Sequence, residues 1–487
     1  MTSLHPKRAL RSAATLIATL GLLCQLAAKQ SDSPGSVVTR GLIVKKPYPL
    51  AETATSFDPA RSYELSSLIE LGLANNPQTR SAWFGALASA ATVGEAKAIY
   101  YPQLGFTATG GFDNGYNPIQ TGPETYGRLS INPGLELEYL LLDFGRRAAD
   151  VRRTVALLDA ANLTFSRRIQ TTVFAIQQAY FAHVAALSQQ QAARANLELS
   201  RTILSMVEAQ IANGLGTKPE LDAARKTLAQ ADFDMAAADR NADVSLGNLR
   251  VAAGLQANAP LKVGTPGEKT DLQGISGNVD RLIDIAIAKR PDLAARTAEI
   301  KASRAAVQRA KADFMPKVSL VGTWSSETYG YGADLNNVSG NFNGTYNHAS
   351  GFAVMSWDLF DGFQRVERVK KRQAEESEVR ANAESTRLQT TQDVWTSYND
   401  SLKAGKRVTY ADSLVVSAEE NFHSVQSAFQ NGLANITDLI SNQSALAAAR
   451  FEQAGARADY LTSLASLSLA MGQFSTPAST QVKPATL

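Results

Sequence analysis

The chain has 487 residues, 48 Lys and Arg against 45 Asp and Glu, and a formal net charge of +3. Residues 1–28 read as a secretory leader: Lys7, Arg8 and Arg11 precede an apolar run from Ala13 to Leu23, and Leu26-Ala27-Ala28 offers a cleavage site. The leader holds three bases and no acid, which leaves 45 of each sign and removes any electrostatic case for nucleic-acid binding.

The only cysteine, Cys24, lies in that leader. Leu23 stands where a lipoprotein signal needs a small residue, so Cys24 reads as a leader residue. The exported chain then has no thiol, which suits an oxidising compartment. Past the leader no run of 18 apolar residues occurs, so no membrane-crossing helix is expected. Alternating β-barrel strands would escape such a scan.

After an N-terminal extension at 29–62, the chain is written twice, at 63–254 and 279–473, with a linker at 255–278 and a tail at 474–487. Asn76-Pro77 returns as Arg290-Pro291, Ala96-Lys97-Ala98 returns at 310–312, and Pro102 returns as Pro316, all offset by 214. Asp143 matches Asp361, Asn213-Gly214 matches Asn431-Gly432, and Gly254 matches Gly472, offset by 218. Solenoid periods run about 20–50 residues, so this is a duplicated half-domain with internal pseudo-twofold symmetry.

In chain order, each half predicts a helix at about 63–100 or 279–314, interrupted by Pro77 or Pro291. The period then changes to two. Strands are expected at about 103–112 and 131–142, and again at 317–325 and 351–360. Leu135, Leu137 and Tyr139 share one face, and Glu136 and Glu138 the other. Leu104, Phe106 and Ala108 supply the partner strand. Val318, Leu320 and Trp324, then Ala353, Met355, Trp357 and Leu359, repeat the pattern. The Gly, Asn, Tyr and Ser-rich stretches 113–130 and 326–350 read as long exposed loops.

Two proline-free intervals of 67 residues follow, 146–212 and 365–431, each about 100 Å long as a helix. Val408, Ala411, Val415, Ala418, Phe422, Val425 and Phe429 step by 3 and 4, as do Ala193, Leu197, Ser200, Leu204, Val207 and Ile211. These are coiled-coil seams rich in small residues, suited to several helices side by side. Asn213-Gly214 and Asn431-Gly432 stop the helices, and return helices are expected at 219–253 and 436–471. Four strands cannot close a barrel, and open edges in lipid leave backbone groups unpaired. The chain must therefore oligomerise; three copies would give twelve strands.

This ordered set resembles the TolC family of outer-membrane efflux and secretion channels over roughly 63–473. It rests on the duplication, on Leu-Leu-Asp-Phe-Gly-Arg-Arg at 141–147 echoed by Leu-Phe-Asp-Gly-Phe at 359–363, and on the Asn-Gly-Leu tips at 213–215 and 431–433. The resemblance implies a mainly α fold with a small β part. Helix–strand–strand–long helix–helix halves would form an α-barrel in the periplasm below a trimeric twelve-stranded β-barrel in the outer membrane of a Gram-negative bacterium. Leu135, Leu137, Tyr139, Met355 and Trp357 would face lipid, and Glu136 and Glu138 the lumen. The implied partners are two further copies of the chain, outer-membrane lipid, a periplasmic adaptor, and an inner-membrane pump of RND, ABC or MFS type.

In that family the tips meet the adaptor, and Gly214, Leu215, Gly432 and Leu433 match those positions; they also read simply as helix stops. Asp438 matches an aperture carboxylate, Glu220 is its first-half counterpart, and Ser441 stands where some relatives carry a second aspartate. Asp438 and Glu220 also read as acids complementing a helix N-terminus. The basic clusters Arg146, Arg147, Arg152, Arg153 and Arg365, Arg368, Lys370, Lys371, Arg372 read as a solvated face or as phosphate contacts.

No HExxH, GxxxxGK[ST] or GxSxG motif occurs, so neither enzyme chemistry nor a nucleotide site is expected, and no cofactor. His183, His348 and His423 are isolated in sequence and read as helix-surface or loop residues. The function implied is a passive export duct driven by its partners. The alternative is a periplasmic coiled-coil spacer or adaptor without a pore, which would need no amphipathic strands.

Overall fold

The computed structural model describes residues 57–119, 122–264, 278–335 and 338–473. The leader, the tail, most of the extension and part of the linker lie outside them. Fourteen elements follow in order: β1 (Ser62–Tyr63), α1 (Leu65–Asn75), α2 (Pro77–Ala98), β2 (Gln103–Ile119), β3 (Gly122–Leu142), α3 (Arg146–Ala212), α4 (Lys218–Ala252), β4 (Lys262–Val263), α5 (Val279–Lys289), α6 (Pro291–Ala312), β5 (Lys317–Leu335), β6 (Val338–Ser356), α7 (Gln364–Gln430) and α8 (Ile436–Ala470). The pair β1–β4, parallel and two residues long, was not foreseen in the extension and linker. No described helix is long and apolar enough to cross a membrane.

α3 and α7 are 67 residues each. Neither contains proline, and each buries a narrow stripe. In α7 the stripe is Val408, Ala411, Val415, Phe422 and Phe429. In α3 it is Leu197, Ser200, Ile203 and Val207, so Ile203 goes deeper than the expected Leu204. A straight helix drifts against a strict heptad, which moves the buried position by one residue over a few turns. The helices pack as a wall. α3 packs on α2, α4, α6 and α8, and α7 packs on α6 and α8. The short helices α1 and α5 lie on α3 and α7. The largest core cluster sits there, where Leu68, Leu71, Phe165, Ile176 and Leu249 meet.

The two halves close with the same joint. Asn76, before Pro77, donates from Nδ2 to the Ala252 carbonyl at 3.3 Å, and Arg290, before Pro291, donates from Nη1 to the Ala470 carbonyl at 3.5 Å. The buried Arg290 is held by Asp292 at 2.6 Å and Asp393 at 2.9 Å. Burial alone would raise the Asp292 carboxyl, but Arg290 and Arg167 outweigh it and hold it below its ordinary value. Gly254 and Gly472 follow these helices with φ of +76° and +69°.

The sheet runs β2-β3-β5-β6, antiparallel throughout, in strands of 17, 21, 19 and 19 residues. Where long loops are expected at 113–130 and 326–350, the described residues 113–119, 122–130, 326–335 and 338–350 are instead strand. The β2–β3 register continues unbroken from Gln103↔Glu138 to Ile119↔Gly122, and β5–β6 from Lys317↔Ser356 to Leu335↔Val338. The Gly and Asn content hid this, because backbone pairing to a neighbour does not require β-favouring side chains. β6 also stops at Ser356, so Trp357 lies just past the strand, where its indole N–H donates to the Phe314 carbonyl at 3.0 Å.

His183 lies in the core rather than on the helix surface. It is 4% exposed, because α4 packs over it and the Ser245 hydroxyl meets its Nδ1 at 2.9 Å. Burial, and then the nearby Arg250, push its imidazole below the ordinary value.

A methyl group on Gly254 would lie 2.8 Å from the Asn75 carbonyl carbon, in a left-handed backbone. Gly254→Ala is expected to destabilise the protein by about 2 kcal/mol or more. Gly247→Ala, in mid-helix with its nearest neighbour at 4.0 Å, is expected to be neutral or stabilising. Thermal unfolding of the purified variants checks the contrast; equal melting temperatures would refute it.

Candidate channel wall and helical tips

Cross-strand register sorts the sheet residues onto two faces. One row joins Leu104, Leu137 and Gly322, and the next joins Phe106, Leu135 and Trp324. Tyr139 pairs with Leu320, and Val318 with Met355. All of these lie on one face, and the four chain segments contribute to it alike. On the other face Gly105, Glu136, Thr323 and Ser350 form a row, with Glu138 in the next. The Thr323 and Ser350 hydroxyls lie 2.6 Å apart there. Val321, Phe352 and Val354 also fall on this second face, so it is polar along the row through Ser350 and apolar toward the helix-proximal end of β6. Glu136 and Glu138 are exposed.

At the far end of the long helices, Gly214 and Gly432 take φ of +73° and +71°. Leu215 N–H then reaches back to the Gln210 carbonyl at 2.9 Å, and Leu433 N–H to that of Ala428 at 2.8 Å. These bonds satisfy the last carbonyls of each helix, as a left-handed C-terminal stop does. They leave Leu215 82% and Leu433 83% exposed, the side chains pointing away from everything else described.

The carboxylates beside the tips have a local partner. The Glu220 carboxylate accepts the Thr217 N–H at 2.7 Å. Asp438 accepts the Asn435 N–H at 3.5 Å, while the Asn435 side chain accepts the Asp438 N–H at 2.8 Å. Both acids therefore cap the return helices α4 and α8. A capped carboxylate still presents its charge to solvent, and Asp438 is exposed. Ser441, one turn on, is exposed too.

One feature of the tip region was not foreseen. Gln443 is buried between the two hairpins, and its Nε2 donates to Asn196 Oδ1 at 2.9 Å and Ser200 Oγ at 2.5 Å. Ile436, Leu439, Gln443 and Leu446 step by 3, 4 and 3. A polar residue at a seam position was the signal, and it joins the hairpins at a fixed register.

The basic clusters are paired within the chain. Arg147 and Arg365 bind Asp143 and Asp361, Arg146 and Arg368 share Asp313, and Arg153 binds Asp150. In the open groove between α3, α6 and α7, about 840 Å³, Arg296, Arg380 and Arg387 pair with Glu299, Glu376 and Glu384. Among the described residues no group of His, Cys, Asp and Glu has the geometry of a metal site.

Comparison with known proteins agrees with this geometry. The chain is 26% identical over 337 residues to protein CyaE of Bordetella pertussis, covering 69% of this chain and 68% of that one. It is 26% identical over 306 residues to the outer membrane protein OprJ of Pseudomonas aeruginosa, covering 61% of each, less than two thirds of OprJ. The crystal structure of the outer membrane protein VceC of Vibrio cholerae superposes with a TM-score of 0.68 at 20% identity, over 84% of this chain and 96% of that one. The sequence model of outer membrane efflux proteins matches residues 68–255 and 282–473, one stretch per half of the duplication and well over half of the chain, and the chain belongs to that family of outer-membrane channels.

Proposed function

We propose that this outer-membrane channel closes as a homotrimer and serves as the exit duct for an adaptor and an inner-membrane pump. The observation that carries closure is the pair of sheet edges: β2 and β6 each pair with one neighbour only. In hydrocarbon such edges cost several kcal/mol per unpaired group, so β6 of one copy must pair with β2 of the next. The helical wall also has free apolar faces. α7 exposes Leu388, Trp395 and Leu402 at seven-residue steps, and α4, at the other end of the wall, exposes Val244 and Val251. Two apolar stripes at opposite ends of one wall suit contact between successive copies. Eight strands are the smallest bacterial barrel built by one chain, and three copies of four give twelve.

The apolar row from Leu104 to Met355 then faces lipid, and Glu136 and Glu138 face the lumen. The exposed Leu215 and Leu433 present the adaptor-contacting tips with Gly214 and Gly432. Asp438 and Glu220 act both as helix caps and as charges near the aperture, where three copies of Asp438 would favour cations. Ser441 leaves this as a single acidic ring. Export energy comes from the pump, of whatever class, because the chain carries no nucleotide motif.

The mass of the unheated, detergent-solubilised particle tests closure. Three chains are expected, and a monomer would refute the trimer. Asp438→Asn keeps an oxygen for the Asn435 N–H and removes the charge. It is expected to lower cation preference in planar-bilayer recordings, and unchanged selectivity would take Asp438 out of the aperture. Leu215→Asp or Leu433→Asp is expected to abolish export while the particle still assembles in the membrane; normal export would remove the tips as the adaptor contact.

A further inference from the structure

The two halves of the duplication fill one place differently. In the first half Phe165 and Ile169 of α3 are buried, and the Trp83 ring of α2 packs on Phe165 with centroids 5.5 Å apart. Leu73 of α1 joins the same core at 4% exposure. The offset of 218 carries Phe165 and Ile169 to Ala383 and Arg387, and the offset of 214 carries Trp83 and Leu73 to Thr297 and Ile287. Two aromatic rings give way to a methyl group and a small hydroxyl side chain, and an isoleucine gives way to an arginine.

All four of these second-half residues line the groove between α3, α6 and α7. Its volume of about 840 Å³ thus opens where the first half packs its rings. Ile287 keeps an apolar side chain there but is 37% exposed, because nothing of the size of Phe165 lies against it. Emptying a core position forfeits packing contacts and leaves a cavity that costs stability. Larger apolar side chains would restore that packing, yet the second half has changed in another direction.

That direction is positive charge. Ala82, Leu87, Asn162 and Ile169 carry none, and their counterparts at the groove are Arg296, Lys301, Arg380 and Arg387. Two carboxylates also line it, Glu384 in place of Ser166, and Asp159 from α3. Arg290 lines it as well but is buried and already held by Asp292 and Asp393. Arg296, Arg380 and Arg387 pair with glutamates three or four residues away on their own helices, and of those partners only Glu384 lines the groove. Such surface pairs are worth at most about 1 kcal/mol, so a guanidinium can leave one for a better anion. Lys301 is exposed and has no ion pair or hydrogen bond among the described residues. Between the charges the lining is apolar, with Leu163, Leu293 and Ile300 beside Ile287.

We propose that this groove is a binding site for a small amphiphilic anion, a molecule with an apolar body and one carboxylate or phosphate group. The body occupies the place that the rings of Trp83 and Phe165 hold in the first half. The anion meets Lys301, with the neighbouring guanidinium groups in reach. A volume of this size lies within the range of small-molecule sites, about 300–1,000 Å³, and such sites combine an apolar lining with a few placed polar groups. One chain builds the whole groove, so binding there goes beyond the duct function and does not depend on closure of the trimer.

The test uses the full-length, unheated particle in phosphatidylcholine nanodiscs. Naphthyl phosphate, naphthoate and the neutral naphthalenemethanol are titrated by fluorescence, with empty nanodiscs subtracted. Saturable binding of at least one anion is expected, and the tighter of the two identifies the anionic group. The neutral alcohol is expected to bind about tenfold more weakly or worse. Lys301→Gln, an exposed change, is expected to weaken anion binding about tenfold. Ala383→Phe puts back the first-half side chain and is expected to abolish binding with no fall in melting temperature. The absence of saturable anion binding would overturn the site, as would equal affinity for the neutral alcohol. Unchanged anion affinity in Lys301→Gln, or in Ala383→Phe at an undiminished melting temperature, would place the binding elsewhere and overturn it too. If Ala383→Phe does not fold, Lys301→Gln decides the case.

Discussion

An unpaired strand edge inside a bilayer is the constraint from which the rest of this molecule follows. The four-stranded sheet exposes backbone groups along β2 and β6, and lipid offers them no hydrogen-bond partner. Water would relieve that cost for a soluble sheet; hydrocarbon does not. Duplication supplies two hairpins per chain, and the proposed trimer would supply the remainder. The helical wall has a matching feature on one side, because α7 follows the edge strand β6 and carries the exposed Leu388, Trp395 and Leu402.

The joints between layers are built twice with different chemistry. At the waist, Asn76 and Arg290 do the same task, tying the start of a helix to the C-terminal carbonyls of α4 and α8. Asn does so with a neutral amide, while the buried Arg needs Asp292 and Asp393 to hold its charge. At the membrane end, an Asp–Arg pair and a ring beneath the guanidinium recur in both halves. Conservation of the joint despite changed residues is what internal pseudo-symmetry looks like at the level of side chains. At the tips, a single carboxylate per hairpin caps its own return helix, Glu220 through the Thr217 N–H and Asp438 through the Asn435 N–H.

The sequence by itself determined the mainly α fold with its small sheet, the duplication, the two long helices and the two faces of the sheet. These rest on periodicity and on chain-breaking residues, both local: proline-free heptads make a long helix, Asn-Gly stops it, and period-two alternation assigns Leu137 and Glu138 to opposite faces. The tertiary structure alone decided three other matters. The strands extend through Gly- and Asn-rich stretches because register with a neighbour, not propensity, carries them. His183 is buried because α4 returns over it, 62 residues later at Ser245. Phe144 and Phe363 take left-handed backbones, φ +51° and +69°, just ahead of helix turns held by Asp143 and Asp361, and no pattern in the residue types announces a φ angle. In each case the deciding partner is distant in sequence or acts through backbone geometry, which a one-dimensional pattern does not contain.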